Sequence, residues 1–291
     1  MPRSTQSETP KQAFSNLLKK LIPIGIGLSL GLLLAILPGY AQDSTASFRS
    51  AQLPNFDRIF QELGIDGSIV IYDKNNDRFY EHNPARNTTA FFPASTFKIL
   101  NALISLETGA IRDDVTVLTW DGITRSIPAW NRDTNLRQAF KDSTVWFYQV
   151  LARKNGHQRM QKFVNQVGYG NRQIGTPDRI DRFWLEGPLQ ITPKQEIEFL
   201  QRLERNDVPF SPRTINLVKD IMIVERTPDY TLRGKTGWID SVKPNIGWFV
   251  GYLEQKSNVY FFATNLNLSS TKDAAKRLEI TRRSFKTLGL L

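Results

Sequence analysis

Residues 92–98 read Phe-Pro-Ala-Ser-Thr-Phe-Lys, and they introduce a segment with helical periodicity. Apolar residues recur at helical spacing over residues 96–108, and Gly109 follows where a helix would end. The pattern predicts an amphipathic helix with Ser95 and Lys98 in its first turn. Because these two residues are three positions apart, their Cβ atoms would lie roughly 5–6 Å apart on one face.

Ser95 and Lys98 have the chemistry of a nucleophile and a base. Backbone N–H groups and the positive end of the helix dipole would stabilise an oxyanion formed beside Ser95. A lysine desolvated beside the apolar Phe97 would become neutral and could accept a proton. The pair is a weak signal alone, because the same spacing recurs at Ser269 and Lys272. A serine at a helix start also often serves only as the N-cap.

The rest of the sequence predicts strands towards both ends of the chain and helices between them. Residues 68–72 and 78–80, separated by an Asn- and Asp-rich turn, read as a hairpin. Further strand-like runs occupy residues 230–234, 246–253 and 259–266. Helical periodicity marks residues 56–63, 134–167, 192–206 and 272–288.

This order predicts an α/β (α+β) fold in which both ends of the chain build one mainly antiparallel sheet flanked by helices. The expected catalytic domain spans residues 42–291. Its α/β lobe covers residues 52–101 and 207–291, and its helical lobe covers residues 102–206. Apolar residues make up 40% of the chain and charged residues 23%, as in ordinary globular proteins.

Histidine and cysteine offer little catalytic material. The chain has no cysteine, which excludes a disulfide, a thiolate nucleophile and a thiolate metal site. Its two histidines, His82 and His157, are far apart in sequence and cannot make a zinc site from several imidazoles. A Ser-His-Asp triad stays possible with few candidates. The residues therefore predict no metal and no cofactor.

The net charge of +10 invites a nucleic-acid interpretation, but its distribution disfavours one. Without residues 1–41 the net charge falls to +7, and the bases are scattered except for a C-terminal cluster. That cluster consists of Lys272, Lys276, Arg277, Arg282, Arg283 and Lys286. No nucleic-acid motif accompanies it, so nucleic acid is not expected as a partner.

The first 41 residues have the pattern of an export signal. Lys19 and Lys20 precede an apolar run over residues 21–37. Gly39 and Ala41 are the small residues expected before a cleavage site between Ala41 and Gln42. An uncleaved anchor is the alternative, although the run is just short of the roughly 20 residues that span a bilayer. Both interpretations place the remaining chain outside the cytoplasm, in the periplasm or secreted, with membrane contact only if the segment stays uncleaved.

Two later motifs complete an ordered set with Ser95 and Lys98. Residues 143–145 read Ser-Thr-Val, and residues 235–237 read Lys-Thr-Gly. On a strand, Lys235 and Thr236 would offer a cation and a hydroxyl to a substrate carboxylate, and Gly237 would allow close approach. Each triplet alone carries little information, but their order matches that of penicillin-binding proteins and class A β-lactamases.

With these motifs the chain resembles the class D (oxacillinase-type) serine β-lactamases over nearly all of its length after residue 41. Ser-Thr-Val stands where class A enzymes have Ser-Asp-Asn, and further matching segments separate class D from its relatives. The matching segments are residues 93–98, 143–145, 169–171 (Tyr-Gly-Asn), 183–189 (Phe-Trp-Leu-Glu-Gly-Pro-Leu), 235–237 and 247–251 (Gly-Trp-Phe-Val-Gly).

The resemblance implies a penicillinase that forms an acyl-enzyme on Ser95. Lys98, N-carboxylated by carbon dioxide, would be the general base, with its carbamate held by the Trp184 indole N–H. Val145 and Phe97 would keep the pocket dry. Carbon dioxide or bicarbonate would be the only additional requirement.

The other roles that the resemblance implies concern the leaving group and the substrate. Ser143 would pass a proton to the leaving nitrogen, and the N–H groups of Ser95 and Trp238 would form the oxyanion hole. The substrate carboxylate would bind Lys235, Thr236 and an arginine aligned as Arg277, for which Arg282 and Lys276 are the alternatives. The expected partner is a small β-lactam, and the protein would be a monomer or homodimer.

Less specific interpretations stand beside these. Trp184 could be only a core residue, residues 169–171 only a turn, and the C-terminal basic cluster only a solvated helix face. Glu186 is expected to be structural rather than a class A type of base. The alternative function is a penicillin-binding sensor or a D-Ala-D-Ala peptidase-like protein that is acylated without rapid turnover.

Overall fold

The structure is a computed structural model that describes residues 54–291. The predicted export signal, residues 1–41, lies outside the described residues and stays a prediction. The strands of the described part are β1 (Gly67–Asp73), β2 (Arg78–His82), β3 (Val117–Leu118), β4 (Thr134–Asn135), β5 (Ile223–Arg226), β6 (Tyr230–Ile239), β7 (Asn245–Gln255) and β8 (Asn258–Leu268).

Its helices are α1 (Asp57–Leu63), α2 (Pro84–Asn87), α3 (Lys98–Glu107), α4 (Leu136–Lys141), α5 (Val145–Val167), α6 (Pro193–Glu204), α7 (Pro212–Ile221) and α8 (Lys276–Thr287). α5 is interrupted at Gly156, whose φ of 75° and ψ of 161° are not helical. No helix within residues 54–291 combines the length and the apolar character needed to cross a membrane.

One antiparallel sheet organises the fold, with strand order β2-β1-β8-β7-β6-β5. β1 pairs with β8 along its whole length, so strands from the two ends of the domain are neighbours. A separate short pair joins β3 to β4. The predicted fold class, with its sheet built from both ends of the chain, is confirmed.

Helices cover both faces of this sheet. α8 contacts β7 and β8, and α1 packs beside α8. The apolar cluster on this side includes Ile280 and Phe285 of α8 against Phe249 and Phe262 of the sheet. A larger cluster takes in α3, α5 and the other sheet face. α6 lies within the segment assigned to the helical lobe but contacts β7 and β8; the lobe limits themselves stay predictions.

Three local features differ from the sequence prediction. The first strand of the C-terminal group does not end at Gly234 but runs to Ile239, because the pairing with β7 continues along that whole length. α7 and the four-residue β5 were not predicted. The helix expected over residues 96–108 begins as a 3₁₀ turn, Ala94–Phe97, before α3 starts at Lys98.

Candidate active site

The 3₁₀ turn Ala94–Phe97 places Ser95 against Lys98. Lys98 Nζ donates to Ser95 Oγ at 2.7 Å, so Ser95 is bonded to the lysine and is not the N-cap of the turn. Ala94 has a φ of 52°, in the left-handed region that a residue with a side chain rarely adopts. Its N–H donates to the Trp184 carbonyl at 2.9 Å, which fixes the turn from the other side. Such strain is typical of a backbone that presents a functional group.

Lys98 lies in an apolar environment. It is fully buried, and its Nζ lies 5.2 Å from the centre of the Tyr148 ring. Burial lowers the pKa of Lys98 from 10.5 to about 7, because the charged form loses its hydration. A substantial fraction of the amine is therefore neutral near pH 7, and a neutral amine can accept a proton or react as a nucleophile.

Trp184 is a core residue with an unused donor. Its ring is fully buried and stacks on Phe97 with 5.5 Å between ring centroids. Within the described residues its Nε1–H has no hydrogen-bond partner. A buried donor without an acceptor is unfavourable by about 1–3 kcal/mol, so this N–H is suited to an acceptor that arrives later.

Ser143 joins the site from the junction of α4 and α5. Its φ of 55° is again in the left-handed region, and its Oγ accepts a hydrogen bond from Lys235 Nζ. Val145 begins α5 two residues later and is half-buried. The helical segment and β6 therefore meet through Ser143 and Lys235.

Lys235 contributes to a positive field in this cleft. It is buried, and its Nζ also donates to the Thr236 carbonyl at 2.9 Å. Burial is the main cause that holds the pKa of Lys235 well below its ordinary value, and the positive charges of Lys98 and Arg277 add to it. An anionic ligand bound beside these basic groups would reduce the repulsion among them.

Arg277 lies beside the Lys-Thr-Gly strand. Its guanidinium donates to the Gly237 carbonyl at 2.6 Å and lies 5.7 Å from the centre of the Trp238 ring. The alternatives have other partners: Arg282 pairs with Glu225 at 2.5 Å, and Lys276 pairs with Asp273 at 2.8 Å. Of the three, Arg277 is the one that hydrogen bonds the Lys-Thr-Gly segment itself.

The Ser95 turn and β6 approach each other closely. A Cβ at Gly237 would lie 3.3 Å from the Pro93 carbonyl and 3.2 Å from the Trp248 Cβ, so a side chain here would force a shift. Trp248 Nε1 donates to the Phe92 carbonyl at 3.0 Å and ties the same turn to β7. A cavity of about 590 Å³ adjoins Lys235 and Thr236, with Phe140 and Leu278 also in its wall.

Comparisons with known proteins agree with this geometry. Residues 67–286 match the family model of the penicillin binding protein transpeptidase domain. The β-lactamase OXA-48 of Klebsiella pneumoniae is 40% identical over 227 residues, which cover 78% of this chain and 85% of that protein. A class D β-lactamase crystal structure from Nostoc is 70% identical, with a TM-score of 0.81 over 81% of this chain and 99% of that one. The class D enzyme FUS-1 (OXA-85) of Fusobacterium nucleatum is 42% identical, with a TM-score of 0.78 over 81% of this chain and 98% of that one.

The chain belongs to the class D β-lactamases. The family resemblance and the enzyme class predicted from the sequence are confirmed. The individual roles of the site residues stay predictions, although the structure brings their side chains into one region.

Other polar residues considered from the sequence lie outside this class D site. Glu186 is a surface residue that pairs with Arg179 at 3.4 Å. His82 bonds Asp57 at 2.6 Å, and the His157 ring bonds the Gly175 carbonyl at 2.7 Å. Among residues 54–291 no three His, Asp or Glu side chains cluster as a metal site would require.

One buried group of this class D protein was not predicted from the sequence. Glu196 is completely buried on α6, and its Oε1 lies 2.6 Å from the hydroxyl of Thr96, the residue after Ser95. A signal existed, because Glu196 has helical spacing with the apolar Leu200 and Leu203 and therefore shares their face. A carboxyl group on the apolar face of a helix indicates a specific partner.

Proposed function

We propose that this protein hydrolyses the β-lactam amide of penicillin-type antibiotics through an acyl-enzyme on Ser95, with N-carboxylated Lys98 as the general base. The observation that supports the proposal most strongly is the 2.7 Å hydrogen bond between Ser95 Oγ and a fully buried lysine of depressed pKa. This arrangement gives the serine a base at contact distance without a histidine.

Acylation follows from the positions of three groups. The base at Lys98 takes the proton of Ser95 as its Oγ attacks the lactam carbonyl. The oxyanion forms near the start of the 3₁₀ turn, where the Ser95 N–H and the Trp238 N–H are the proposed donors. Ser143, bonded to Lys235, delivers a proton to the nitrogen as the C–N bond breaks.

Deacylation requires a base that can still accept a proton after the acyl-enzyme has formed. A carbamate formed from Lys98 and carbon dioxide would be such a base. A neutral amine reacts with carbon dioxide to give a carbamate and a released proton, so the buried site gains an anionic oxygen base. The unpartnered Trp184 N–H fits a carbamate oxygen, since it is a donor with no competing acceptor. The base then removes a proton from the water that attacks the acyl-enzyme.

Carbon dioxide should therefore control the rate. Removing dissolved carbon dioxide is expected to lower the steady-state turnover of a chromogenic cephalosporin by about tenfold or more, because general-base catalysis contributes roughly 10²–10⁴-fold. Added bicarbonate should restore the rate, whereas sodium acetate at the same ionic strength should not. Equal turnover with and without carbon dioxide would show that the free amine is the base.

The same assay separates hydrolysis from the alternative of a sensor or peptidase. A β-lactamase turns over many equivalents of cephalosporin, whereas a sensor or peptidase releases about one equivalent and stays acylated. Intact-mass measurement of the protein after mixing detects the persistent adduct. Stoichiometric acylation at every bicarbonate concentration would favour the alternative.

Arg277 is proposed to bind the substrate carboxylate together with Lys235 and Thr236. Arg277→Ala is expected to raise KM for a penicillin about tenfold with little change in kcat, since a hydrogen bond to a charged group is worth about 1.5–3 kcal/mol. Arg282→Ala is the matched control, because it removes a C-terminal helix arginine bonded to Glu225 instead. Similar KM values for Arg277→Ala and the unmodified protein would contradict the assignment.

Export completes the proposal. Residues 1–41 would direct the chain out of the cytoplasm to the periplasm or medium, where β-lactams are encountered. The proposal rests on their basic and apolar pattern.

A further inference from the structure

A chain of short oxygen–oxygen contacts lies behind the Ser95 turn. Tyr169 OH lies 2.9 Å from Glu196 Oε1, and Glu196 Oε1 lies 2.6 Å from Thr96 Oγ1. Thr96 Oγ1 lies in turn 2.8 Å from the carbonyl oxygen of Pro93. Each of these three contacts is within hydrogen-bond distance, and a proton between the two oxygens is the arrangement that such distances favour.

Counting protons determines the state of the carboxyl group. The Tyr169 and Thr96 hydroxyls supply one proton each, and the Pro93 carbonyl supplies none. Three contacts therefore need a third proton, and Glu196 is the remaining source. With the proton on Glu196, Tyr169 donates to Glu196, Glu196 donates to Thr96, and Thr96 donates to the Pro93 carbonyl.

The surroundings of Glu196 also favour the neutral acid. Its second oxygen, Oε2, is buried without a hydrogen-bond partner among the described residues, which an anionic oxygen tolerates poorly. Burial raises the pKa of Glu196 to about 7, opposed only by the hydrogen bonds of Thr96 and Tyr169. Among residues 54–291 no cation contributes to the pKa shift of Glu196.

We propose that Glu196 is a positioning residue which, as a neutral acid, locks the Ser95 turn through Thr96. The inference rests on the proposed role of Ser95 as the nucleophile. Thr96 closes the turn onto Pro93, and the Pro93 carbonyl in turn abuts Gly237 of β6. The hydrogen-bonded chain thereby fixes Ser95 relative to both Lys98 and the oxyanion site.

Ionisation of Glu196 breaks this chain. The Thr96 proton must then turn towards the carboxylate, which leaves Thr96 Oγ1 and the Pro93 carbonyl in repulsive contact. The turn relaxes and Ser95 loses its alignment, so activity falls as the pH rises. Loss of the Glu196 proton acts on the alkaline limb, whereas protonation of the amine of Lys98 acts on the acid limb.

Other titratable groups on the elements near Glu196 do not explain such a limb. They are Lys98 and Glu107 on α3, Arg86 on α2, Tyr72 and Asp73 on β1, Tyr252 and Glu254 on β7, Tyr260 on β8, and Lys194, Glu198, Arg202 and Glu204 on α6 itself. None of them hydrogen bonds Glu196, and none contributes to its pKa shift. Tyr169 does contact it, but burial and the Glu196 charge raise the pKa of Tyr169 well above 10.

The test compares pH profiles of kcat/KM for the full-length protein and Glu196→Gln in bicarbonate-containing buffer. The glutamine N–H₂ carries two protons, so it can donate to Thr96 as the neutral acid does and donate to the Tyr169 hydroxyl oxygen instead of accepting from it, but it cannot ionise. Glu196→Gln is expected to keep activity within about threefold at acidic pH and to lose the alkaline decline, giving at least about tenfold more activity than the unmodified protein two pH units above the Glu196 pKa. Glu198→Gln, on the exposed face of the same helix, should keep the original profile.

The outcomes separate this inference from the proposed function. Turnover by the unmodified protein at its pH optimum tests the function alone. An alkaline decline that is the same in Glu196→Gln, or absent from both proteins, would overturn the positioning role. Should Glu196→Gln fold poorly, infrared difference spectra of the unmodified protein provide a second measurement: the carbonyl band of a buried carboxylic acid must disappear as the pH rises in parallel with activity, and a carboxylate throughout would overturn the inference.

Discussion

Ser95→Ala is expected to abolish turnover of a penicillin, with a loss of about 10⁴-fold or more, because removing a serine nucleophile leaves only binding and oxyanion stabilisation. No acyl-enzyme should form, so intact-mass spectra after mixing should show the unmodified protein mass. The fold should persist, since Ser95 contributes one hydroxyl to a site held by the stacking of Phe97 on Trp184 and by the hydrogen bond from Trp248 to the Phe92 carbonyl. Steady-state hydrolysis and mass spectrometry check both points.

A matched control for this substitution exists within the chain. Ser269 has the same spacing to Lys272 as Ser95 has to Lys98, but both residues of the second pair are exposed. Ser269→Ala should therefore leave turnover unchanged. An adduct on Ser95→Ala, or turnover within tenfold of the unmodified protein, would place the nucleophile elsewhere.

Lys98→Met is expected to abolish turnover and at the same time to stabilise the protein at neutral and lower pH. The turnover loss should be about 10²-fold or more, because the base is removed. The stability gain follows because the pKa of Lys98 is about 7 in the folded protein and 10.5 in an ordinary environment. Between these values the unfolded chain binds more protons than the folded one, so the unmodified protein gains stability as the pH rises through that window.

The magnitude follows from the size of the pKa shift. Removing the buried amine should raise the free energy of unfolding by up to about 5 kcal/mol below pH 7, and the difference should shrink as the pH rises towards 10.5. Urea unfolding in carbon-dioxide-free buffer at several pH values measures it. Lys272→Met, an exposed lysine, should show no such pH-dependent difference. A difference independent of pH would mean that Lys98 is not desolvated in the folded state.

Sequence patterns predicted the parts of the fold that local periodicity controls. The hairpin of β1 and β2 has a β-branched run in its first strand and a polar turn, and the helix after Ser95 has apolar residues at helical spacing and a glycine stop. By contrast, β5 has four residues and is defined by its pairing with β6, which no local pattern encodes. β6 extends through Gly234 and Gly237 because β7 supplies the ladder, and this pairing overrides the weak strand preference of glycine.

The residues of the candidate site could be predicted from the sequence, but the contacts that hold them in place could not. Short motifs indicated Ser95, Lys98, Ser143 and Lys235, and the structure brings them together. The hydrogen bond of Glu196 to Thr96 joins positions 100 residues apart, and only the packing of α6 beneath the turn creates it. The choice of Arg277 over Arg282 likewise depends on tertiary contacts, since Arg277 bonds Gly237 and Arg282 pairs with Glu225.

The pairing of β1 with β8 has a consequence for how the domain is made. Almost the whole domain is synthesised between these strands, yet β8 is the strand that joins β1 to β7 in the sheet. A nascent chain that ends before residue 258 leaves β1 and β7 without their shared neighbour, so the six-stranded sheet cannot be completed. Assembly must await the last strand, and contacts between such distant segments form slowly.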